Sequence, residues 1–278
     1  MEAWRKSFVD RNVVLKIAIV NVVIYAIILF WETINGMPLT KNGLEAPLQE
    51  DQIYHPITWM ALQGDFSAFI TKPWTMLTFM VSHERFLALL SNMIWLCFFG
   101  SLLQELLGNK RVIPLYIYGG FFGGIVYILF CTLMGLNFYL ASASLSVFAI
   151  AAAATAMEPN YKVFTSFNGG FSLWILSAIY ALLTLLTSSS AVIAAHVMAG
   201  CTGLFFIKQL QKGNDYGQWM NTIGSKINGV FDPAAKTGNK HIIVSDEEKL
   251  NKILDKISNR GMYSLSAEEK KFLDNRSK

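Results

Sequence analysis

Six long stretches of the chain carry almost no charge, and they constrain its fold more than any other feature. These stretches are residues 12–35, 86–107, 112–134, 139–157, 171–188 and 190–207. Only 15% of the residues are charged, whereas a soluble domain usually has about 25%. A bilayer core requires about 20 apolar residues per helix, and about 17 is the practical minimum. The sequence therefore predicts an all-α membrane protein with a bundle of six transmembrane helices.

The basic residues predict how this bundle is oriented, because short cytoplasmic loops collect Lys and Arg. With the N-terminus inside, eight basic residues near the spans fall on the inner side: Arg5, Lys6, Arg11, Lys110, Arg111, Lys162, Lys208 and Lys212. The prediction is a cytoplasmic N-terminus at 1–11, a transmembrane domain at 12–210 with an external loop at 36–80, and a cytoplasmic C-terminus. The net charge of +4 is scattered around the spans, which favours contact with lipid head groups over nucleic acid.

The external loop 36–80 and the C-terminal segment carry structure of their own. Trp59 and Trp74 suit the head-group level of a bilayer, so the loop either lies partly in the interface or folds into an external cap. Residues 211–243 are polar and indicate a linker. Residues 244–278 predict a cytoplasmic tail of two short helices, because Ser245-x-x-Glu248 and Ser266-x-x-Glu269 are capping-box patterns.

Three polar side chains interrupt three different apolar stretches. Asn92, Ser144 and His196 each lie near the outer end of a predicted span, and at about 1.5 Å per residue they share one depth. Their side chains could serve as oxyanion donor, nucleophile and base of a hydrolase. Each also has a simpler interpretation, since a membrane Ser often bonds to its own helix and an Asn often joins two helices. Other serines compete for the role of nucleophile, namely Ser142, Ser146 and Ser188–Ser190, and His83 is either a second donor or an interfacial residue.

Small residues around these side chains predict close contact between the helices that carry them. Gly200 and Gly203 follow His196 by four and seven residues, on its own helical face. Membrane helices approach closely where such residues meet. The cysteines, Cys97, Cys131 and Cys201, lie within spans without metal-type spacing, so we interpret them as packing residues and predict no metal or other cofactor.

These motifs resemble those of the rhomboid intramembrane serine proteases. His83 followed by Asn92 resembles the opening of that family's second span, and Ala195-His196 with Gly203 resembles its sixth. Ser142-Ala143-Ser144-Leu145 falls where the family has Gly-x-Ser-Gly. The resemblance covers roughly residues 12–210, and the short tail is similar to that of rhomboids from Bacteroidetes-type bacteria. It implies a six-helix rhomboid-like bundle in a bacterial inner membrane.

The resemblance also implies an activity, the cleavage of transmembrane-anchored proteins by a Ser–His dyad without metal or cofactor. Ser144, selected over Ser142 by the family register, would be the nucleophile and His196 its base. Asn92, His83 and the Ser144 backbone N–H would stabilise the oxyanion, and Phe148 would stack on His196.

The chain departs from the family pattern at three positions. Ser142 and Leu145 replace the two glycines beside the nucleophile, and Ala88 replaces a second histidine five residues after His83. Leu145 is expected to narrow the oxyanion hole, because glycine there lets backbone and substrate come close. The alternative function is therefore a pseudoprotease that binds membrane-protein clients without cutting them. A transporter is disfavoured, because the spans show no internal repeat and no intramembrane carboxylate pair.

Overall fold

The computed structural model describes residues 12–35, 45–47, 56–164, 170–220 and 222, and five isolated residues beyond them: 253, 266, 269, 272 and 273. The chain divides into two compact units, Met1–Asn221 and Thr222–Lys278. The boundary falls inside the predicted linker 211–243. The predicted cytoplasmic segment 1–11 lies outside the described residues.

Helices dominate the first unit, and short strands join them. In chain order the elements are α1 (Val13–Ile34), β1 (Glu45–Pro47), α2 (Pro56–Met60), β2 (Leu62–Gln63), α3 (Phe66–Thr71), α4 (Thr75–Thr78), α5 (Phe86–Leu107), α6 (Val112–Met134), β3 (Phe138–Leu140), α7 (Ser144–Met157), β4 (Lys162–Val163), β5 (Phe171–Ser172), α8 (Leu173–Leu186) and α9 (Ser190–Gln211). Single 3₁₀ turns lie at Phe79–Val81 and Asn109–Arg111.

Each of the six predicted apolar stretches contains one long helix. Four of these helices, α1, α5, α6 and α9, are long and apolar enough to cross a membrane. The other two, α7 and α8, have 14 residues each, which corresponds to about 21 Å at 1.5 Å per residue. That length is less than the hydrocarbon thickness of about 30 Å. The membrane-capable helices are thus confirmed, and the count of six spans stays a prediction.

The fourth predicted span, 139–157, begins differently from the prediction. Its first residues belong to β3, and the helix starts only at Ser144. β3 is the middle strand of a three-stranded antiparallel sheet, between β1 and β2, with Leu62 opposite Leu140. The cause of the error is general, because periodicity alone does not distinguish a short buried strand from the start of a buried helix.

Helix α7 packs against α5, α6 and α9, while α1 packs on the outside of α5. Small residues make this possible. A Cβ added to Gly203 of α9 would lie 2.3 Å from the carbonyl oxygen of Ala149, and one added to Gly119 of α6 would lie 2.2 Å from the Ala149 Cβ. Three helices therefore meet at Ala149 with no room for another methyl group, and the predicted close contact at Gly203 is confirmed.

Residues 56–80, which belong to the predicted external loop, fold into short helices and a strand, and their position outside the membrane stays a prediction. Ile57 and Leu62 are fully buried, whereas Trp59 and Trp74 are about half exposed. These two indole rings stack at 6.4 Å, and the Lys72 ammonium lies 4.6 Å above the Trp59 ring. Residues 36–44 and 48–55 lie outside the described part, and contact of the tryptophans with lipid stays a prediction.

The chain after α9 turns back onto the start of α6. Arg111 forms an ion pair with Asp215 at 3.2 Å. The Tyr118 hydroxyl donates to the Tyr216 carbonyl oxygen at 2.8 Å, and the Trp219 indole donates to the Tyr118 hydroxyl at 2.6 Å. The first residues of the predicted linker are therefore fixed to the helical unit.

The second unit contains one of the two predicted capping boxes. The Ser266 N–H donates to the Glu269 carboxylate at 2.7 Å, and the Glu269 N–H donates to the Ser266 hydroxyl at 3.3 Å. Phe272 and Leu273 continue as helix. This reciprocal pair confirms the predicted helix start. The other predicted box, Ser245 to Glu248, lies outside the described residues.

Candidate active site

A cavity of about 430 Å³ opens where α5, α7, α8 and α9 meet. Each of these helices contributes at least one polar side chain to its wall, and so does the turn before α7. The polar and aromatic residues that matter below are Asn92, Trp95, Ser142, Ser144, Tyr180 and His196. The three side chains that the sequence analysis placed at one depth thus line a single cavity.

Ser144 is the first residue of α7 and is 8% exposed, on the cavity side of that helix. Its position follows from the sequence, because the sheet strand β3 ends at Leu140 and the Ala-rich run that follows favours helix. The first N–H groups of a helix have no partner within the helix and carry a partial positive charge. The Ser144 N–H therefore lies at the positive end of α7, beside the Ser144 hydroxyl, and is a donor that the helix itself does not use.

His196 lies in the second turn of α9 and is almost fully buried. Its Nδ1 is 2.8 Å from the carbonyl oxygen of Val192. A carbonyl only accepts, so Nδ1 carries the proton and Nε2 keeps its lone pair in the neutral ring. Nε2 is buried and has no hydrogen-bond partner among the described residues. The backbone of α9 thus fixes the tautomer that a general base requires, with no carboxylate.

The hydrogen bond between His196 Nε2 and Ser144 Oγ is not formed in this structure, since Nε2 has no partner there. Catalytic hydrogen bonds are often long or misaligned before substrate binds. Both residues line the same cavity, which is where a substrate would meet them.

Phe148 contacts His196 in a geometry that differs from the prediction. The two rings have centroids 5.2 Å apart and an interplanar angle of 75°, an edge-to-face contact. The stacking prediction was wrong in orientation because α7 and α9 approach closely at Gly200, where an added Cβ would lie 3.1 Å from the Phe148 ring. The ring of Phe148 fills that space and packs against the imidazole in this edge-to-face contact.

Asn92 and Ser142 are joined across the cavity wall. The Asn92 Nδ2 donates to the Ser142 Oγ at 3.1 Å, and the Ser144 N–H donates to the same oxygen at 3.1 Å. Ser142 is almost fully buried except for the surface it presents to the cavity. From the sequence, Ser142 was a competing nucleophile candidate and a replacement for a family glycine, and this contact was not predicted. Its one sequence signal is the spacing of two residues, at which a Ser hydroxyl can accept from the backbone.

His83 lies behind Asn92 and does not line the cavity. Its Nε2 accepts the Ala143 N–H at 3.4 Å and is also 3.4 Å from the Asn92 amide nitrogen. Burial lowers the pKa of His83 to about 4, so the ring is neutral and Nε2 is an acceptor. The structure therefore does not place the predicted second oxyanion donor on the cavity wall. Instead, His83 contacts Asn92 and the turn before α7, and so supports the positions of both.

The other two departures from the family pattern have different outcomes. Ala88 lines the cavity and has no polar group to offer. Leu145 is fully buried, and its Cδ1 is 3.0 Å from the place of a Cβ on Gly123 in α6. Its side chain points into the helix bundle and does not line the cavity. The expectation that Leu145 narrows the oxyanion hole was wrong, because Gly123 provides the space for it on the opposite side of α7.

Tyr180 of α8 is a cavity residue to which the sequence analysis gave no role of its own. Its ring lies 4.8 Å from Trp95, 5.6 Å from Phe99 and 5.8 Å from Phe148. The signal was present, because it is the one tyrosine in a helix of mostly aliphatic residues. The described residues contain no cluster of three or more His, Cys, Asp or Glu side chains that could hold a metal ion.

Comparison with known families agrees with this architecture. The family model of the rhomboid domain matches residues 71–212, just over half of the chain. The chain belongs to the rhomboid family. The matched rhomboid domain includes α5 to α9 and all the cavity residues above, and with its apolar helices it identifies an integral membrane protein. A second model, a family of unknown function designated DUF6576, matches residues 244–278. No curated protein matches the chain.

Proposed function

We propose that this rhomboid-family protein is an intramembrane serine endopeptidase that cleaves transmembrane-anchored proteins. The observation that carries the proposal is the state of His196, whose Nδ1–H is fixed on Val192 while its Nε2 is left without a partner in the same cavity as Ser144. A neutral imidazole with a free lone pair can act as a general base, and a serine hydroxyl in the same cavity can act as its nucleophile.

The proposed reaction uses these groups in two stages. The Ser144 Oγ attacks the scissile carbonyl carbon while its proton moves to His196 Nε2, and the negative oxygen is held by the Ser144 N–H and the Asn92 amide. The carbon–nitrogen bond then breaks, and the imidazolium returns the proton to the leaving amine. Water, deprotonated by the same nitrogen, hydrolyses the acyl-enzyme and restores Ser144. Donors to such an oxygen contribute about 3–4 kcal/mol each to the transition state.

Membrane topology supports the choice of substrate. The cavity wall is built from apolar, membrane-capable helices and the two short helices α7 and α8. A substrate that reaches it from the lipid would pass between α5 and α8. We place the protein in a bacterial inner membrane with six spans and cytoplasmic termini, as the distribution of basic residues indicates. Its substrates would then be cut near their outer membrane boundary.

Activity-based labelling tests the chemistry directly. We expect a fluorophosphonate probe to label the purified wild-type protein, and Ser144→Ala to abolish labelling. His196→Ala should slow labelling and the cleavage of a generic transmembrane substrate by about 10³-fold or more. The matched control is Ser146→Ala, since Ser146 is also buried in α7 but does not line the cavity. Equal labelling of Ser144→Ala and wild type would rule out Ser144 as the nucleophile.

Cross-linking tests the route of entry. Leu87 of α5 and Leu183 of α8 both line the cavity and both are exposed. With cysteines at these two positions, and with Cys97 and Cys201 replaced by Ala, a bis-maleimide should block cleavage of the membrane substrate. Each single-cysteine protein treated with the same reagent is the control. Undiminished cleavage by the cross-linked protein would exclude entry between these helices.

The alternative, a pseudoprotease that binds membrane-protein clients, is favoured by one observation. Ala88 offers no donor, and both remaining donors of the site already bond to Ser142. The labelling experiment separates the two functions. An unlabelled wild-type protein that still retains a transmembrane client in detergent would indicate the binding function.

A further inference from the structure

The hydroxyl of Ser142 receives two hydrogen bonds from donors that belong to different helices. One comes from the Ser144 N–H and the other from the Asn92 amide, both at 3.1 Å. The residue at the N-cap position of α7, Ala143, has no side-chain acceptor. Ser142 therefore supplies the acceptor that the start of the helix lacks, and does so on the cavity wall.

These two donors are the ones assigned above to the oxyanion. An oxyanion hole is recognised by donors that converge on one oxygen position at about 2.7–3.1 Å. Here the converging donors meet the oxygen of a side chain. We propose that the Ser142 hydroxyl occupies the oxyanion hole of the resting protein and must rotate away before a substrate carbonyl oxygen enters. The inference rests on the proposed protease function, in which Ser144 and Asn92 hold that oxygen.

The chemistry of a hydroxyl suits such a removable occupant. Serine has three staggered χ1 positions, so the oxygen can leave without movement of the backbone. A neutral hydroxyl accepts more weakly than a charged oxygen, and hydrogen bonds to an ionised acceptor are roughly twice as strong. The developing oxyanion therefore displaces Ser142 more readily than an uncharged carbonyl does. Ser142 would reduce the reactivity of the site without touching the nucleophile or the base.

Removal of the hydroxyl should make the site react faster, whereas a purely structural role for Ser142 predicts the opposite. For full-length protein in detergent, we expect Ser142→Ala to raise the second-order rate constant of fluorophosphonate labelling about tenfold. This factor corresponds to the net free energy of one hydrogen bond that no longer has to be broken. Ser142→Gly, which restores the residue typical of the family, should do the same and serves as a second variant if the alanine protein folds poorly. The Ser146→Ala control should label at the wild-type rate, and Ser144→Ala should not label.

The outcomes separate this inference from the proposed function. If wild type labels at Ser144 and neither Ser142 variant is faster, the occupied hole is overturned while the protease stands. If wild type is inert and a Ser142 variant labels at Ser144, the hydroxyl is a complete block and the inference holds. If wild type and both Ser142 variants are all inert, the protease proposal fails and the inference fails with it. Thermal unfolding of each variant confirms that the compared proteins are folded.

Discussion

Helices α7 and α8 have the same length and are both strongly apolar, but they pack in opposite ways. Nine of the 14 residues of α7 are buried, whereas only Leu173 and Tyr180 are buried in α8. The cause is side-chain size. Helix α7 is rich in Ala and Ser, so its neighbours can close around it, while the Leu and Ile side chains of α8 hold neighbours away and face outwards. The nucleophile candidate therefore lies on the tightly packed helix, and the loosely packed helix forms another wall of the same cavity.

The largest expected effect comes from adding one methyl group to the packed side of this comparison. Gly203→Ala would bring a Cβ to 2.3 Å from the backbone carbonyl of Ala149, and a backbone atom cannot give way as a side chain can. We expect a loss of at least about 4 kcal/mol, and hence little folded protein, because overpacking of this kind is at the extreme of the usual range. Purified yield and thermal unfolding in detergent measure it.

A neighbouring substitution controls for helix α9 as a whole. Leu204→Ala alters the next residue, which is exposed, and should leave stability within about 0.5 kcal/mol. A stable, fully active Gly203→Ala protein would show that α7 is not clamped between α6 and α9.

The second effect tests whether one side chain attaches α8. Tyr180 contacts Trp95, Phe99 and Phe148, and it is the only residue that α8 buries beyond its first turn. Tyr180→Ala should lower the free energy of opening α8 by about 3 kcal/mol. Hydrogen–deuterium exchange should then rise in α8 and stay unchanged in α7. Tyr180→Phe keeps the ring contacts and should exchange like wild type. An equal increase of the exchange rate in α7 and α8 would contradict the idea that the two helices are packed independently.

The third effect concerns the protonation of Glu84, which lies just before α5. Burial raises the pKa of Glu84 to about 7, although Tyr139 of β3 and Arg85 both act to lower it. The folded protein therefore keeps this proton between pH 4.5 and about 7, while the unfolded chain loses it. The contribution of Glu84 to stability should therefore fall as pH rises through that window, by about 3 kcal/mol, and then level off. His83, whose pKa is lowered by burial, contributes a slope of the opposite sign below pH 6.5.

Glu84→Gln should remove this contribution, so the stability of the variant relative to wild type should rise between pH 4.5 and about 7, as thermal unfolding at a series of pH values would show. Glu105→Gln, which changes an exposed carboxylate at the other end of α5, is the control and should leave the slope in place. A stability difference between Glu84→Gln and wild type that stays the same from pH 4.5 to 8 would rule out Glu84 as the titrating group.

The smallest effect is expected on the outer face of α8. Leu182 is 58% exposed, so Leu182→Ala should change stability in detergent by no more than about 0.5 kcal/mol. The measurement is the same thermal unfolding as for Gly203→Ala. A large loss would mean that this face has a partner, and that the contrast with α7 is only a property of the isolated chain.

The positions of the helices and of the polar side chains within them were predictable from the sequence. The starts and ends of α5 and α6 match the apolar stretches 86–107 and 112–134 to the residue, because long apolar runs and backbone hydrogen bonds within a helix are local properties. Asn92, Ser144 and His196 reach one cavity as their shared depth predicted. The small residues of α9 correctly predicted a close approach at Gly203.

The predictions that failed concern which way a side chain points. His83 supports the site from behind, Leu145 turns to Gly123, and Phe148 meets His196 with its edge. Each depends on a residue that is distant in sequence, which no local pattern contains. The strand β3 was missed for the same reason, since its partners β1 and β2 lie far earlier in the chain, within residues 45–63.

The sequence by itself determined that this chain makes apolar, membrane-capable helices and that a hydroxyl, an imidazole and an amide are carried at one level of them. Hydrophobic length and helix hydrogen bonding depend on neighbours within a few residues, so they can be read from the chain directly. Only the tertiary structure decided that the Asn92 amide bonds to Ser142, 50 residues away. Such a contact is set by the distance between α5 and the turn before α7, which is a result of packing.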